Sequence, residues 1–216
     1  ITLILVIALV APTLAAKPHH QTPPAGDRVP CGLNTVVYDW DFTVSDHGFT
    51  AGACDDQGAP VWEWGTTSYI PDAPGTLWGT VLEGDYATDA GESLIAPTFT
   101  VDASTVLLEI VHYYDAEALW DGGNVTVNGN LAYPLVGYPG VISVPGDWMS
   151  WCVDNESGFT GLESGWLTSC FDLSAYMGQE VTIALDFGSD DMFTEAGWYV
   201  AAARVGTDEA VAAGAH

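Results

Sequence analysis

From residue 35 the chain reads TVVYDWDFTV, with Val36, Tyr38, Trp40, Phe42 and Val44 alternating with Val37, Asp39, Asp41 and Thr43. Only an extended strand sends successive side chains to opposite faces, so this spacing predicts a half-buried β-strand. The same period returns in EVTIALDFG (180–188), where Val181, Ile183, Leu185 and Phe187 share a face. VWEW (61–64) and WGTVL (78–82) read as short aromatic strands, and GNVTVNG (123–129) alternates into a turn. STVLLEIVHYY (104–114) is apolar on both faces, which suits a central strand. Pro97 cannot donate to a ladder, so SLIAPTFTV (93–101) belongs at an edge or a bulge. LAYPLV (131–136), GVISV (140–144) and WLTSCFDL (166–173) are further candidates, and GWYVAAARVG (197–206) closes the series. The only helical turn expected lies near Leu173–Met177. With 24 Gly and 12 Pro available for turns, the pattern predicts an all-β fold, an antiparallel β-sandwich over residues 35–206.

The flanks differ from this domain. ITLILVIALV (1–10) followed by APTLAA is too short to span a bilayer. Its length and the small residues after it predict that 1–16 is a signal peptide or a hydrophobic N-terminal segment. A strand donated to a neighbouring copy is the alternative. Residues 17–34 begin with KPHHQTPPAGDRVP, whose four prolines predict a linker. His19 and His20 fall there without a further ligand nearby in sequence. Residues 207–216 read as a mobile tail. Cys31, Cys54, Cys152 and Cys170 form an even set without a CxxC pair, so disulfides in an exported chain are expected, not zinc. Three connectivities are possible; local closure favours Cys31–Cys54 with Cys152–Cys170.

Charge constrains the partners. Three basic residues, Lys17, Arg28 and Arg204, stand against 29 acids, a net charge of −26. Such a field repels nucleic acid and anionic membranes and attracts cations. Hard cations take carboxylate oxygens together with backbone carbonyls from tight turns. The turns around Asp115, Asp121 and Asp190–Asp191 offer both, and Asp41 is a weaker addition. This predicts a structural Ca²⁺ site at Asp41, Asp115, Asp121, Asp190 and Asp191. The alternative is that aspartate is simply a good turn residue.

Several segments in order resemble a known pattern: VWEWGTTSYIPDAPGTLWGTVLEGDY, SLIAPTF, LLEIVHYYDAEALWDGGNVTVNG, GWLTSCFDLSAYMGQEVTIALDFGSDD and GWYV. Together they resemble the β-sandwich accessory domain of immune-inhibitor-A-type secreted metallopeptidases, and are similar to MAM-type domains. The resemblance covers roughly residues 36–206. It implies a jelly-roll-like sandwich, roles in adhesion, substrate recognition or folding support, and frequent structural calcium. In the family pattern two acids follow GWY-aliphatic; here Ala201 and Ala202 stand instead, so any cation site is expected in the loops.

No catalytic set is legible. HExxH and GxSxG are absent from the sequence. His112 falls on the predicted central strand without a nameable partner, so a satisfied, half-buried histidine is expected. Glu63 and Glu109 are strand-borne carboxylates outside any signature. Of the nine tryptophans, Trp40, Trp62, Trp64, Trp78, Trp166 and Trp198 read as sheet-packing residues. Trp148 and Trp151 in PGDWMSW either stack on a ligand or close a loop beside Cys152. Asn124 and Asn155 begin glycosylation sequons. The expectation is a non-enzymatic secreted or cell-surface binding or adhesion module. Its partner is an extracellular glycan or protein, or copies of itself in a filament or surface layer. Neither nucleic-acid binding nor a membrane-spanning domain is expected.

Overall fold

A computed structural model describes residues 31–54, 60–143 and 152–208. The hydrophobic N-terminus, His19, His20, most of the Pro-rich linker, Trp148, Trp151 and the tail from 209 lie outside the described residues. The first half forms β1 (Thr35–Asp41), β2 (Thr50–Ala53), β3 (Trp62–Thr66), β4 (Thr76–Thr80), β5 (Gly91–Ile95), β6 (Phe99–Thr100), β7 (Leu107–Ala116) and β8 (Gly122–Val127). The second half adds β9 (Asn130–Ala132), β10 (Gly140–Ile142), β11 (Glu156–Gly158), β12 (Gly161–Leu162), β13 (Leu167–Asp172), β14 (Glu180–Val181), β15 (Ile183–Gly188) and β16 (Gly197–Thr207). A single 3₁₀ turn, Ser174–Tyr176, falls where the helical turn is expected.

The pairings are antiparallel throughout. A seven-stranded sheet is centred on β7 and β16, with β12 and β13 against β7, β1 and β4 against β16, and β3 beyond β4. A five-stranded sheet runs β2-β5-β15-β8-β9. Their inner faces share one core. Leu94, Val125, Val127, Leu185 and Phe187 come from the second sheet and Leu108, Ile110, Tyr114, Trp198 and Val205 from the first. Trp198 is almost wholly buried, and its ring fills the space where Gly123 has no side chain. Truncating such a ring costs about 3–5 kcal/mol. The fold is the expected jelly-roll-like sandwich.

Period two places β15 correctly, and the run that is apolar on both faces becomes the central strand β7. At β1 period two holds only in part. Trp40 and Phe42 are buried, but a register shift between Val36 and Tyr38 breaks the alternation, and Val36 and Val44 are exposed. Pro97 divides the predicted 93–101 strand into β5 and β6, as its missing donor requires. Trp64 is exposed, because β3 is the edge of its sheet; its indole N–H donates to the Phe42 carbonyl at 3.2 Å. In β16 the register slips between Val200 and Ala202. Tyr199 and Val200 there pair with β4, and Ala202 to Thr207 with β1, so the bulge hands one edge of β16 to two partners.

The local disulfides favoured by the sequence do not form. Cys31 pairs with Cys170 and Cys54 with Cys152, across sequence separations of 139 and 98 residues. The reason is architectural. Cys31 lies beside β13 of the seven-stranded sheet, while Cys54 follows β2 at the edge of the other sheet. The fold brings the Cα atoms of Cys31 and Cys170 to 5.3 Å and those of Cys54 and Cys152 to 5.7 Å, within the range a disulfide spans, so proximity in space and not in sequence sets the pairing.

Candidate metal centre

The loop from β7 to β8 is a tight turn. The Glu117 carbonyl accepts from Trp120 N (3.1 Å) and Asp121 N (2.9 Å). The second bond is a helix-like i→i+4 closure, which stacks the side chains of residues 117 and 121 on one side. Leu119 has φ 71°, and Gly122 follows with φ 153°. A Cβ on Gly122 would collide with the Phe159 carbonyl, so only glycine lets Asp121 turn inward here.

Asp190 enters from the loop after β15. The neighbouring Ser189 amide donates to the Ala90 carbonyl (3.1 Å), and Ser189 Oγ accepts from Ala90 N (2.9 Å). The Asp190 carbonyl accepts from Asp89 N at 2.8 Å, and its amide donates to Asp121 Oδ1 at 2.7 Å. Tyr86 OH donates to Asp121 Oδ2 at 2.7 Å and accepts from Glu117 N at 3.1 Å.

Asp121 and Asp190 are fully buried, Glu117 is half-buried, and one carboxylate oxygen from each lies within 4.8 Å of the others. Oxygens bound to one calcium ion at about 2.4 Å stand at most about 4.8 Å apart, so this donor set fits a hard cation. Burial pushes the Asp121 carboxyl up to about 8. The hydrogen bonds from Tyr86 and Asp190 N–H oppose that rise, while the Asp190 and Glu117 carboxylates add to it. Arg204, the only Lys or Arg among the described residues, is bound to Asp39 (3.1 Å) and Glu109 (3.0 Å).

Of the five predicted ligands, the structure brings together Asp121 and Asp190. Asp191 is exposed beside them. Asp115 lies in another cluster: burial, then Glu195 and Asp85, push its carboxyl up to about 6. Asp41 closes its own turn by accepting from Thr43 N (3.0 Å) and Thr43 Oγ1 (2.7 Å), bonds that hold its carboxyl below the usual range. Glu117 is an addition, visible afterwards as the acid four residues before Asp121. Ala201 and Ala202 are buried on β16, outside this group.

The other polar candidates have structural partners. His112 is fully buried, not half-buried. Trp198 Nε1 donates to its Nδ1 at 2.9 Å, which leaves Nε2–H to donate to Ser169 Oγ at 2.8 Å. This serine–histidine pair is sealed in the core away from any substrate. Glu63 accepts from Leu82 N at 3.0 Å and Glu109 holds Arg204. Asn124, first residue of a sequon, is fully buried in β8, so the folded chain cannot carry a glycan there. Asn155 is exposed.

No family model matches the chain. It is 26% identical over 170 residues, 77% of its length, to Bacillopeptidase F of Bacillus subtilis (strain 168), and spans about a tenth of that protein. Among solved structures it is similar to the K1 cleaved adhesin domain of Lys-gingipain from Porphyromonas gingivalis W83. That match has a TM-score of 0.44 at 14% identity, over 79% of this chain and 98% of the other. The K2 cleaved adhesin domain of Lys-gingipain gives 0.44 at 10%, over 78% and 96%. A xylan-binding module, CBM15, gives 0.29 at 14%, over 74% and 97%.

Proposed function

We propose that this chain is a non-catalytic binding module of a secreted protein, folded around a structural calcium ion held by Glu117, Asp121 and Asp190. The observation that carries the reading is the convergence of three carboxylates, two of them wholly buried, at the junction of the β7–β8 loop and the loop after β15. An ion there would bind those two loops together and offset the cost of burying their charges. Two disulfides support an oxidising, extracellular setting. The limited match to Bacillopeptidase F, a tenth of that protein, supports an accessory part rather than a whole enzyme. The ligand under this reading is an extracellular glycan or protein, with Trp148 and Trp151 as candidate stacking residues.

The test is the melting temperature in calcium and in magnesium at equal ionic strength. Calcium should raise it more, because magnesium demands a strict octahedron and sheds water reluctantly. Asp121→Asn mimics the protonated carboxyl, so it should leave stability in chelator within about 1 kcal/mol of the parent. It should abolish the added effect of calcium at this site. Equal responses to the two ions would reduce these loops to acidic turns.

A further inference from the structure

A second polar group lies on the outer face of the five-stranded sheet, away from the sandwich core. β15 turns Leu185 and Phe187 inward, so Asp186 points outward, yet it is only 8% exposed. Its Oδ1 accepts from Ser93 Oγ on β5, and its Oδ2 from Thr126 Oγ1 on β8 at 3.0 Å. In the β15–β8 register Asp186 stands opposite Asn124. Asn124 Nδ2 donates to Glu156 Oε2 of β11 at 2.7 Å and to the Ser157 carbonyl at 3.4 Å. The other fork of that planar amide, Oδ1, is buried on this face with no hydrogen-bond donor among the described residues. An unsatisfied buried acceptor costs what a lost hydrogen bond costs. Rotating the amide does not help, since its oxygen would then meet the Glu156 carboxylate.

The geometry points to a second hard-cation site, of the calcium class, formed by Asn124 Oδ1 with the carboxylates of Asp186 and Glu156. Every atom in the set is an oxygen of the kind such ions take, contributed by β15, β8 and β11. A water could satisfy the amide oxygen, but it would leave two carboxylates on this face without a counter-charge. The ion satisfies both needs and pins β11, which follows Cys152 in sequence, onto the sheet. This site shares no residue with the one at Glu117, Asp121 and Asp190, and it does not depend on that reading.

The experiment counts tightly bound Ca²⁺ per full-length chain by equilibrium dialysis in a background of monovalent salt. Wild type should hold two ions. Glu156→Gln keeps the acceptor for Asn124 and should lose one, and Asp121→Asn should lose the other. Asn124→Asp places a carboxylate against Glu156, so it should melt lower than wild type in chelator and recover in calcium. Glu156→Gln binding as many ions as wild type would overturn the proposal, and so would an Asn124→Asp variant that calcium does not rescue. A wild type that holds one ion, lost in Glu156→Gln and kept in Asp121→Asn, would sustain this site and remove the other.

Discussion

At the scale of single residues, the burial of ionisable groups decides behaviour. Asp121 titrates in the folded chain near 8, far above an unfolded aspartate near 3.8, because burial penalises its charged form. The sign follows. Between roughly pH 4 and 8 the folded state holds a proton that the unfolded state has released, so without an ion this group lowers stability as pH rises. Under the proposed reading calcium displaces that proton, so its apparent affinity at this site should climb about tenfold per pH unit up to pH 8 and then level. Calorimetric titrations at pH 6, 7 and 8 check this, with the Asp121→Asn chain as the control lacking the dependence. His112 is the other decisive residue, holding the Trp198 indole and the Ser169 hydroxyl at once. His112→Phe retains bulk but orphans both, and should destabilise by about 2–4 kcal/mol in urea unfolding. If His112→Phe matched the parent, these two hydrogen bonds would contribute nothing net.

At the scale of elements, the disulfides join segments that the sequence keeps far apart. Non-reducing peptide mapping should recover Cys31 linked to Cys170 and Cys54 linked to Cys152. Replacing Cys31 and Cys170 together with serine should cost about 3–5 kcal/mol in the chain-entropy account of so long a loop. Apolar patterning revealed most strands: period two marked β15, whose apolar face a one-residue slip would expose, and a run apolar on both faces marked the central β7. It missed β2, whose TAGA carries no apolar stripe, and the three-residue β11 and two-residue β12, which are too short to show a period. It also missed the disulfide pairing, which depends on which sheet each cysteine joins and not on spacing. The candidate site was half legible. Asp121 and Asp190 stood out as turn acids, whereas separating them from Asp115 and Asp41 required knowing which turns fold inward. Asn124 was legible only as a sequon, since its orphaned oxygen is a property of packing.

For the whole molecule, 29 acids against three bases make self-repulsion a standing cost of compactness. This repulsion and the proposed cation site respond differently to salt, so the two can be separated. Surface charges interact through water and are screened as the Debye length falls from about 10 Å at 0.1 M to about 3 Å at 1 M. The melting temperature should therefore rise steeply with potassium chloride at first and flatten toward 1 M. The carboxylates of Asp121 and Asp190 are sealed from solvent, so mobile ions screen them far less. A calcium increment measured in 1 M potassium chloride thus reports the buried site and no longer the acidic surface. It should persist there in the parent chain and shrink in Asp121→Asn, while the slope against potassium chloride stays the same in both. If the increment vanishes by 1 M salt in the parent, calcium acts only as a diffuse counter-ion, and the two loops hold together through Tyr86, Ser189 and backbone hydrogen bonds alone.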